Sequence, residues 1–567
     1  MKYQIQGKGP IVISNNNFVA EGGEGKIFIT GNTALKIYTD LKNITPVSKI
    51  KELMILDHPS IIRPKDILLD EKNQYVGFTM DVIPNSIPLC KLFTTSFRTR
   101  NAVTPEMINK LVENMQEVIV FIHDKKCLLV DGNEMNYLVD DHSFVVPYFI
   151  DVNSYATQSW PATVVMPSIK DWATKGFNTL TDWFSFAIVS FQLFVGIHPY
   201  KGGHPKFNQP DLIERMKARL LAKVSVLNSS VSYPPSVRDF SYIPSEFMDW
   251  YVKLFEKGER VPPPKVAGLL NIKQVQATVV QSTNNFIIKL IKDYKDEIVR
   301  AKYWNGVGSI TTTKRVYINK IDYPISSPKG LDIVFTPKMM VPMLAKIENL
   351  NLYLRNLKTD EVIDSGIRCT DKLLVDNTLY VKNEGNLIEL VLTEMGDKIL
   401  PVVKTTWSVL PYSSILFNGV VYQNVLGKSH LSIPKPNSGV SSSCFVIAIP
   451  ELDGHRILDA KYQNRVCLVV GVKGSITTKF ILTFDEKISS YQCRTIQDDS
   501  LVNFVTLDNG VCISINDDGS LELFKNSDPK VKVIKDPDIR STMILTHDGV
   551  KVMFFEQNKL YSLSMKP

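Results

Sequence analysis

The chain has 567 residues, 44% hydrophobic and 22% charged, with a formal charge of +7. That length exceeds what one hydrophobic core serves, so two or more domains are expected, each with its own core. The balance excludes a disordered or low-complexity chain, and a mild positive charge without blocks gives no indication of nucleic-acid binding. No apolar run reaches the length of a membrane span, and the start MKYQIQGKGPIVI lacks the apolar core of a secretory signal. Cys90, Cys127, Cys369, Cys444, Cys467, Cys493 and Cys512 are widely spaced, with no C-x-x-C pair and no zinc spacing to His. They read as reduced core thiols, so a cytoplasmic protein without membrane attachment is expected.

In chain order, the first marked stretch is VAEGGEGKIFI, residues 19–29, which sets Gly22, Gly23 and Gly25 between β-forming residues; Lys36 follows in ALKIY. A glycine-rich hairpin lets backbone N–H groups approach a polyphosphate, and a lysine on the next strand can pair with its charge. A plain turn and a solvated strand lysine are the alternative. Between about 105 and 270 the apolar pattern takes helical spacing, as in MINKLVENMQEVIVFIH and TDWFSFAIVSFQLFV. Within that region the apolar run of LLVDGNEMNYLV, 128–139, is broken by polar residues. Asp131 precedes Asn136 by five residues, and fifteen residues later Asp151 ends the run of VPYFIDVNSY. Three such oxygen donors can surround one site, suited to a hydroxyl substrate and to Mg²⁺ on a nucleotide. Singly, each could cap a turn or a strand end. His58, His123 and His198 are assigned packing or turn roles.

The texture then changes. NNFIIKLIKDYKDEIVRAKYW reads as one amphipathic helix and GVGSITTTK as a linker, placing a helical linker at 273–310. Residues 311–567 read as all-β. Turn-then-strand units start at Asp376, Asn418, Asn464, Asn509 and Asp548, at intervals of 42, 46, 45 and 39 residues. Earlier strands at KRVYI and LNLYLRN could supply two more units. A recurring β-rich unit of that length predicts a β-propeller of about seven blades, with a pair of β-sandwiches as the alternative.

The N-terminal motifs, taken together, resemble the protein-kinase family over about residues 15–270: a glycine-rich loop, a strand lysine, D-x-x-x-x-N as DGNEMN, and a metal motif as DVNS in place of D-F-G. HPSIIRP resembles the segment after helix C, YVGFTMDVIP the strand into the hinge, VVMPSIKDW the end of the activation segment and TDWFSFAIVSFQLFVGIHPYKG the long C-lobe helix. Within kinases the likeness is to a divergent bacterial and phage-associated group. The resemblance implies a two-lobed α+β fold, with an N-lobe at 1–85 and a C-lobe at 86–272. It implies ATP held at Gly22, Gly23, Gly25, Lys36, Met80, Asp81 and Ile83, with Met80 as gatekeeper. Asp131 and Lys36 take the catalytic roles, Asn136 and Asp151 hold Mg²⁺, and Asp182 and Arg260 support the catalytic loop and C-lobe. Departures are Lys49 at the helix-C glutamate position, with Glu52 the nearest acid and the expected substitute partner for Lys36; Leu129 and Val130 before Asp131; Asn133 in place of a lysine; Ala20 for the first loop glycine; Asn153 in the metal motif; and Ser168 for the glutamate of A-P-E.

Two functions stay open on this reading. One is an ATP- and Mg²⁺-dependent kinase acting on Ser/Thr hydroxyls, whose β domain docks a protein substrate or partner. The other is a pseudokinase or structural adaptor, including a virion component, in which both halves serve protein–protein interaction.

Overall fold

The computed structural model describes residues 1–40, 44–162, 164–264, 285–396, 398–437, 442–474 and 476–566. They divide into two compact units, one drawn mainly from residues up to 264 and the other from residues after 284. Among the described residues no helix is long and apolar enough to cross a membrane.

The first unit is mixed α/β. Its larger sheet holds β1 (Lys2–Ile5), β2 (Gly9–Val12), β3 (Phe18–Glu21), β4 (Gly25–Thr30), β5 (Thr33–Tyr38), β6 (Ile67–Leu69) and β7 (Tyr75–Asp81), in the order β2-β1-β6-β7-β5-β4-β3. β5 is flanked on both sides, by β4 and β7, in antiparallel register. Gly77 makes the second pairing possible, because a Cβ there would lie 1.9 Å from the Lys36 carbonyl oxygen. Among the described residues its α-helices are α1 (Val47–Leu53), α2 (Thr95–Asn101), α3 (Pro105–Asp124), α4 (Thr179–Val195), α5 (Leu212–Ala222) and α6 (Ser245–Tyr251). α3 starts where Thr104 accepts a bond from the Met107 N–H and Pro105 fills the first turn, and it buries the face Ile108, Leu111, Val112, Met115, Val118, Ile119 and Ile122. α4 opens on an Asn178–Thr181 capping box, is buried from Asp182 to Val195, and ends at Gly196 with φ 83°. A second sheet of β8 (Ser86–Pro88), β9 (Tyr137–Asp140) and β10 (Pro147–Phe149), ordered β10-β9-β8, borders this helical core.

The second unit is all β. Among the described residues seven four-stranded antiparallel sheets follow along the chain: A, 298–324; B, 332–368; C, 371–408; D, 414–448; E, 456–497; F, 504–534; and G, whose strands 544–565 are completed by Phe286–Asp293. Each sheet shares an apolar cluster with the next, and G shares one with A, where Met553, Phe555 and Leu560 pack with Ile298, Ala301 and Ile310. Strands caught between two such clusters are apolar on both faces, as Val466–Val472 is, while the outer strand Val362–Arg368 alternates. Tight turns at Asp376–Asn377 and Asn464–Arg465 have φ of 48° and 75°, and 42° and 69°, the backbone that two-residue hairpins demand.

One expectation is corrected. The stretch read as a helix is two strands, Phe286–Asp293 and Ile298–Trp304, and the linker GVGSITTTK contributes strand Val307–Thr312; residues 265–284, including the rest of the expected linker and the 272/273 boundary, lie outside the described residues. Ile287, Ile288 and Ile291 favour a strand, but the deciding partner is remote: Phe286 pairs with Met565, near the end of the sequence.

Candidate functional site

Polar groups converge in the first unit where β5, the β3–β4 turn, the residues before β9 and those after β10 meet. Lys36, 8% exposed, projects from β5. Its ammonium donates to Asp151 Oδ1 at 2.8 Å, Asn153 Oδ1 at 2.8 Å and Glu24 Oε2 at 2.9 Å. Burial works against that charge, but the Asp151 and Glu24 carboxylates outweigh it and hold the lysine above its ordinary pKa. Asn153 also donates to Glu24 Oε2 at 2.8 Å, so the turn is tied to both the lysine and the segment after β10.

The turn carrying Glu24 is built by its glycines. The Gly22 N–H donates to the Gly25 carbonyl at 2.9 Å, and a Cβ on Gly25 would lie 2.5 Å from the Ile37 carbonyl oxygen. Around Gly23 there is nothing within 4 Å of a Cβ, so that part of the turn is open. At the end of β7, Met80 is half-buried opposite Ala34, Asp81 is exposed and pairs with Lys65 at 2.6 Å, and Ile83 is half-buried just beyond.

The polar stretch at 131–136 is held from below by Asp182. This carboxylate, 1% exposed, accepts from the Leu129 N–H at 2.8 Å, the Val130 N–H at 2.9 Å and His123 Nε2 at 2.9 Å. Val130 is thereby kept at φ 61°, a costly conformation for a β-branched residue. Asp131 Oδ1 accepts from the Met166 N–H at 2.7 Å, while Asn136 Nδ2 donates to the Asp131 carbonyl at 2.9 Å and stands 3.4 Å from Oδ2. Burial, with Asp151 nearby, raises the Asp131 pKa above the usual carboxylate value. The Ile150 N–H bonds the Asn136 carbonyl at 3.0 Å, and Asp151 takes φ 57°, turning its side chain away from the strand direction. Lys36 with Asp151, and Asn136 with Asp131, therefore form two hydrogen-bonded pairs, brought side by side where the Ile150 N–H bonds the Asn136 carbonyl.

Arg260 lies elsewhere in this unit, bound to Asp171 through Nε at 2.6 Å and Nη2 at 2.7 Å, and stacked 4.4 Å over Phe184. His198, buried, accepts the Tyr200 N–H on Nδ1 and bonds the Ser168 carbonyl through Nε2, and burial lowers its pKa to about 3.

Glu52 is the correction here. Thr157 and Ser159, beside its carboxylate, hold its pKa below the usual value, and the ion pairs of Lys36 are with Glu24 and Asp151 instead. The physical reason is occupancy: Glu24 reaches Lys36 from the turn and, with Asp151 and Asn153, takes up the three donor positions of its ammonium. Nothing in the sequence marks Glu24, which looks like any polar turn residue, or Asp171, three residues beyond Ser168. Lys49 and Asn153 stand out there only as departures; the structure buries both, at 4% and 3% exposure.

Among the described residues no group of three or more His, Cys, Asp and Glu side chains is arranged to hold a metal. The donors that converge do fit a hard cation sharing its shell with phosphates: Asp151 has one oxygen not taken by Lys36, and the Asn136 amide oxygen is left over when its Nδ2 turns to Asp131. No protein-family model matches the chain, and no curated protein matches it.

Proposed function

We propose that the first unit is a protein-kinase-like fold that binds ATP with Mg²⁺ and transfers its terminal phosphoryl group to Ser/Thr hydroxyls of a protein, and that the second is a seven-bladed β-propeller that docks that protein. The observation that carries the first part is the placing of the Lys36–Asp151 pair beside the Asn136–Asp131 pair, across the Ile150–Asn136 backbone bond, with Asp182 clamping the backbone before Asp131. Residues from three separate parts of the chain, at 36, 131–136 and 151, have no packing reason to meet there. The propeller is supported by seven sheets whose apolar clusters run from each to the next and from G back to A, with Phe286–Asp293 fastening the last sheet to the start of the unit.

In this reading the turn at Gly22–Gly25 covers the phosphates and Lys36 neutralises them, while the residues around Met80, Asp81 and Ile83 receive the base. Asp151 and Asn136 would hold Mg²⁺, which supplies charge neutralisation on the phosphates. Asp131 turns Oδ2, whose contact with Asn136 is the longer one at 3.4 Å, to the substrate hydroxyl, because Oδ1 is taken by the Met166 N–H. Its raised pKa makes it a better proton acceptor as the hydroxyl attacks. Positioning and electrostatics supply most of the rate in such a transfer.

A pseudokinase or adaptor is the second reading, and Glu24 favours it: its carboxylate stands on Lys36, where a phosphate would bind. Incubation of the full chain with radiolabelled ATP, Mg²⁺ and a generic Ser/Thr peptide separates the two. Transfer that falls at least about a hundredfold in Asp131→Ala supports catalysis. Equal labelling by wild type and variant, or none by either, leaves the adaptor.

A further inference from the structure

We propose that Lys49 is a second phosphate-binding cation of this site and that the Glu24 carboxylate holds the place of the bound anion, to be displaced by the polyphosphate of a nucleotide. This rests on the nucleotide-binding reading above.

Lys49 lies on α1, the helix that packs against residues 152–154, and is 4% exposed. Among the described residues its ammonium has no hydrogen bond and no carboxylate within 4 Å, though Glu24 and Asp151 are near enough to act on its charge. Burial depresses its pKa, and the two carboxylates offset that only in part. An ammonium in such a place lacks the close anion that its desolvation calls for. Lys36 differs, being fully engaged.

Glu24 shows what that anion resembles. One oxygen accepts from both Lys36 and Asn153, yet its side chain is 50% exposed and stands in a turn where Gly23 meets nothing. A carboxylate so placed is held by its partners and not by packing, so a stronger anion can replace it. A polyphosphate has more charge and more acceptor oxygens than a carboxylate, enough to satisfy Lys36 and Asn153 and extend to Lys49. The polarity of the expected arrangement is thus exchanged: a cation on the helix, and an acid on the turn.

Binding of ATP and of adenosine to the full chain, measured by calorimetry with Mg²⁺ present, tests this. Lys49→Met is expected to weaken ATP about tenfold or more and leave adenosine unchanged, since only the phosphates use the ammonium. Glu24→Gln is expected to tighten ATP about threefold or more, by removing the competing charge, again without effect on adenosine. If Lys49→Met binds ATP as wild type does, or loses ATP and adenosine equally, the assignment of Lys49 is wrong while nucleotide binding stands. If Glu24→Gln weakens ATP, Glu24 is a ligand and not a placeholder. Wild type that binds neither compound removes the nucleotide reading and this inference together.

Discussion

Each unit contains a buried lysine with three oxygen partners, and the two are finished differently. Lys479 of the second unit is fully buried and donates to Asp499 and Asn516, both at 2.8 Å, and to the Leu501 carbonyl at 3.3 Å; Asp499 is itself only 6% exposed. Lys36 of the first unit also has three partners, but the side chains of Glu24 and Asp151 are 50% and 38% exposed. A buried pair whose acceptors are also buried can only be structural, because no ligand reaches it. A buried cation whose acceptors face water is a site with exchangeable partners. Enclosure of the acceptor distinguishes them, since the donor's own burial is nearly the same.

The largest test of that contrast is one substitution made twice. Lys479→Met removes the only cation bonded to Asp499 among the described residues and is expected to cost about 3–5 kcal/mol, the usual penalty for stranding one partner of a buried pair. Lys36→Met removes a charge whose partners can turn to water, and is expected to cost at most about 1 kcal/mol while abolishing ATP binding. Urea unfolding of the full chain, followed by the amplitude of each transition, checks both. Equal losses of stability would end the distinction.

A smaller effect comes from Asp517, beside Asp499. Burial and the neighbouring carboxylate raise its pKa, although the Ser500 N–H and hydroxyl bond it at 2.7 Å and 2.9 Å. An acid whose folded pKa is above its unfolded value binds its proton more tightly when folded, so stability falls as pH climbs from the ordinary range near 4 through the raised value. Asp517→Asn keeps an acceptor oxygen for Ser500 and removes that charge. It is expected to stabilise the second unit by about 1 kcal/mol at neutral pH, one pKa unit being worth about 1.4 kcal/mol, with no gain at pH 4. A gain of the same size at both values would place its cause outside titration.

What was legible in the sequence was local. The helical periodicity of 107–123 and 181–195 falls inside α3 and α4, because an apolar face repeated over several turns has few other folds open to it. The Asp376 and Asn464 turns were legible for the same reason: few residues tolerate positive φ. Spacing also singles out Asp131, Asn136 and Asp151; the first two share a hydrogen bond, and the Ile150 N–H, next to Asp151, bonds the Asn136 carbonyl. What was hidden depended on remote partners. Phe286–Asp293 satisfies a helical pattern as well as a strand pattern, and only Lys559–Met565, over 250 residues away, decides between them. Glu24 was hidden because nothing in a glycine turn says which way its acid points. Asp171 was hidden because a bidentate arginine needs a carboxylate in reach, not at a fixed sequence position.

The smallest expected effect belongs to Glu52. The sequence puts it one helical turn from Lys49 and makes it the natural partner for Lys36, whereas the structure gives that role to Glu24 and leaves Glu52 beside Thr157 and Ser159. Gln keeps the size and polar end of Glu52 without its charge, and that charge is not paired with Lys36, so Glu52→Gln is expected to leave the unfolding midpoint and ATP affinity unchanged. Only a residue whose charge matters to Lys36 would fail that substitution. Glu24→Gln, which does remove a charge from Lys36, supplies the contrast within the same assay. A Glu52→Gln chain that lost ATP binding as Lys36→Met does would show that α1 moves to bring Glu52 onto Lys36 when nucleotide binds, and the open, exchangeable character assigned to the Glu24 position would then belong to the helix instead.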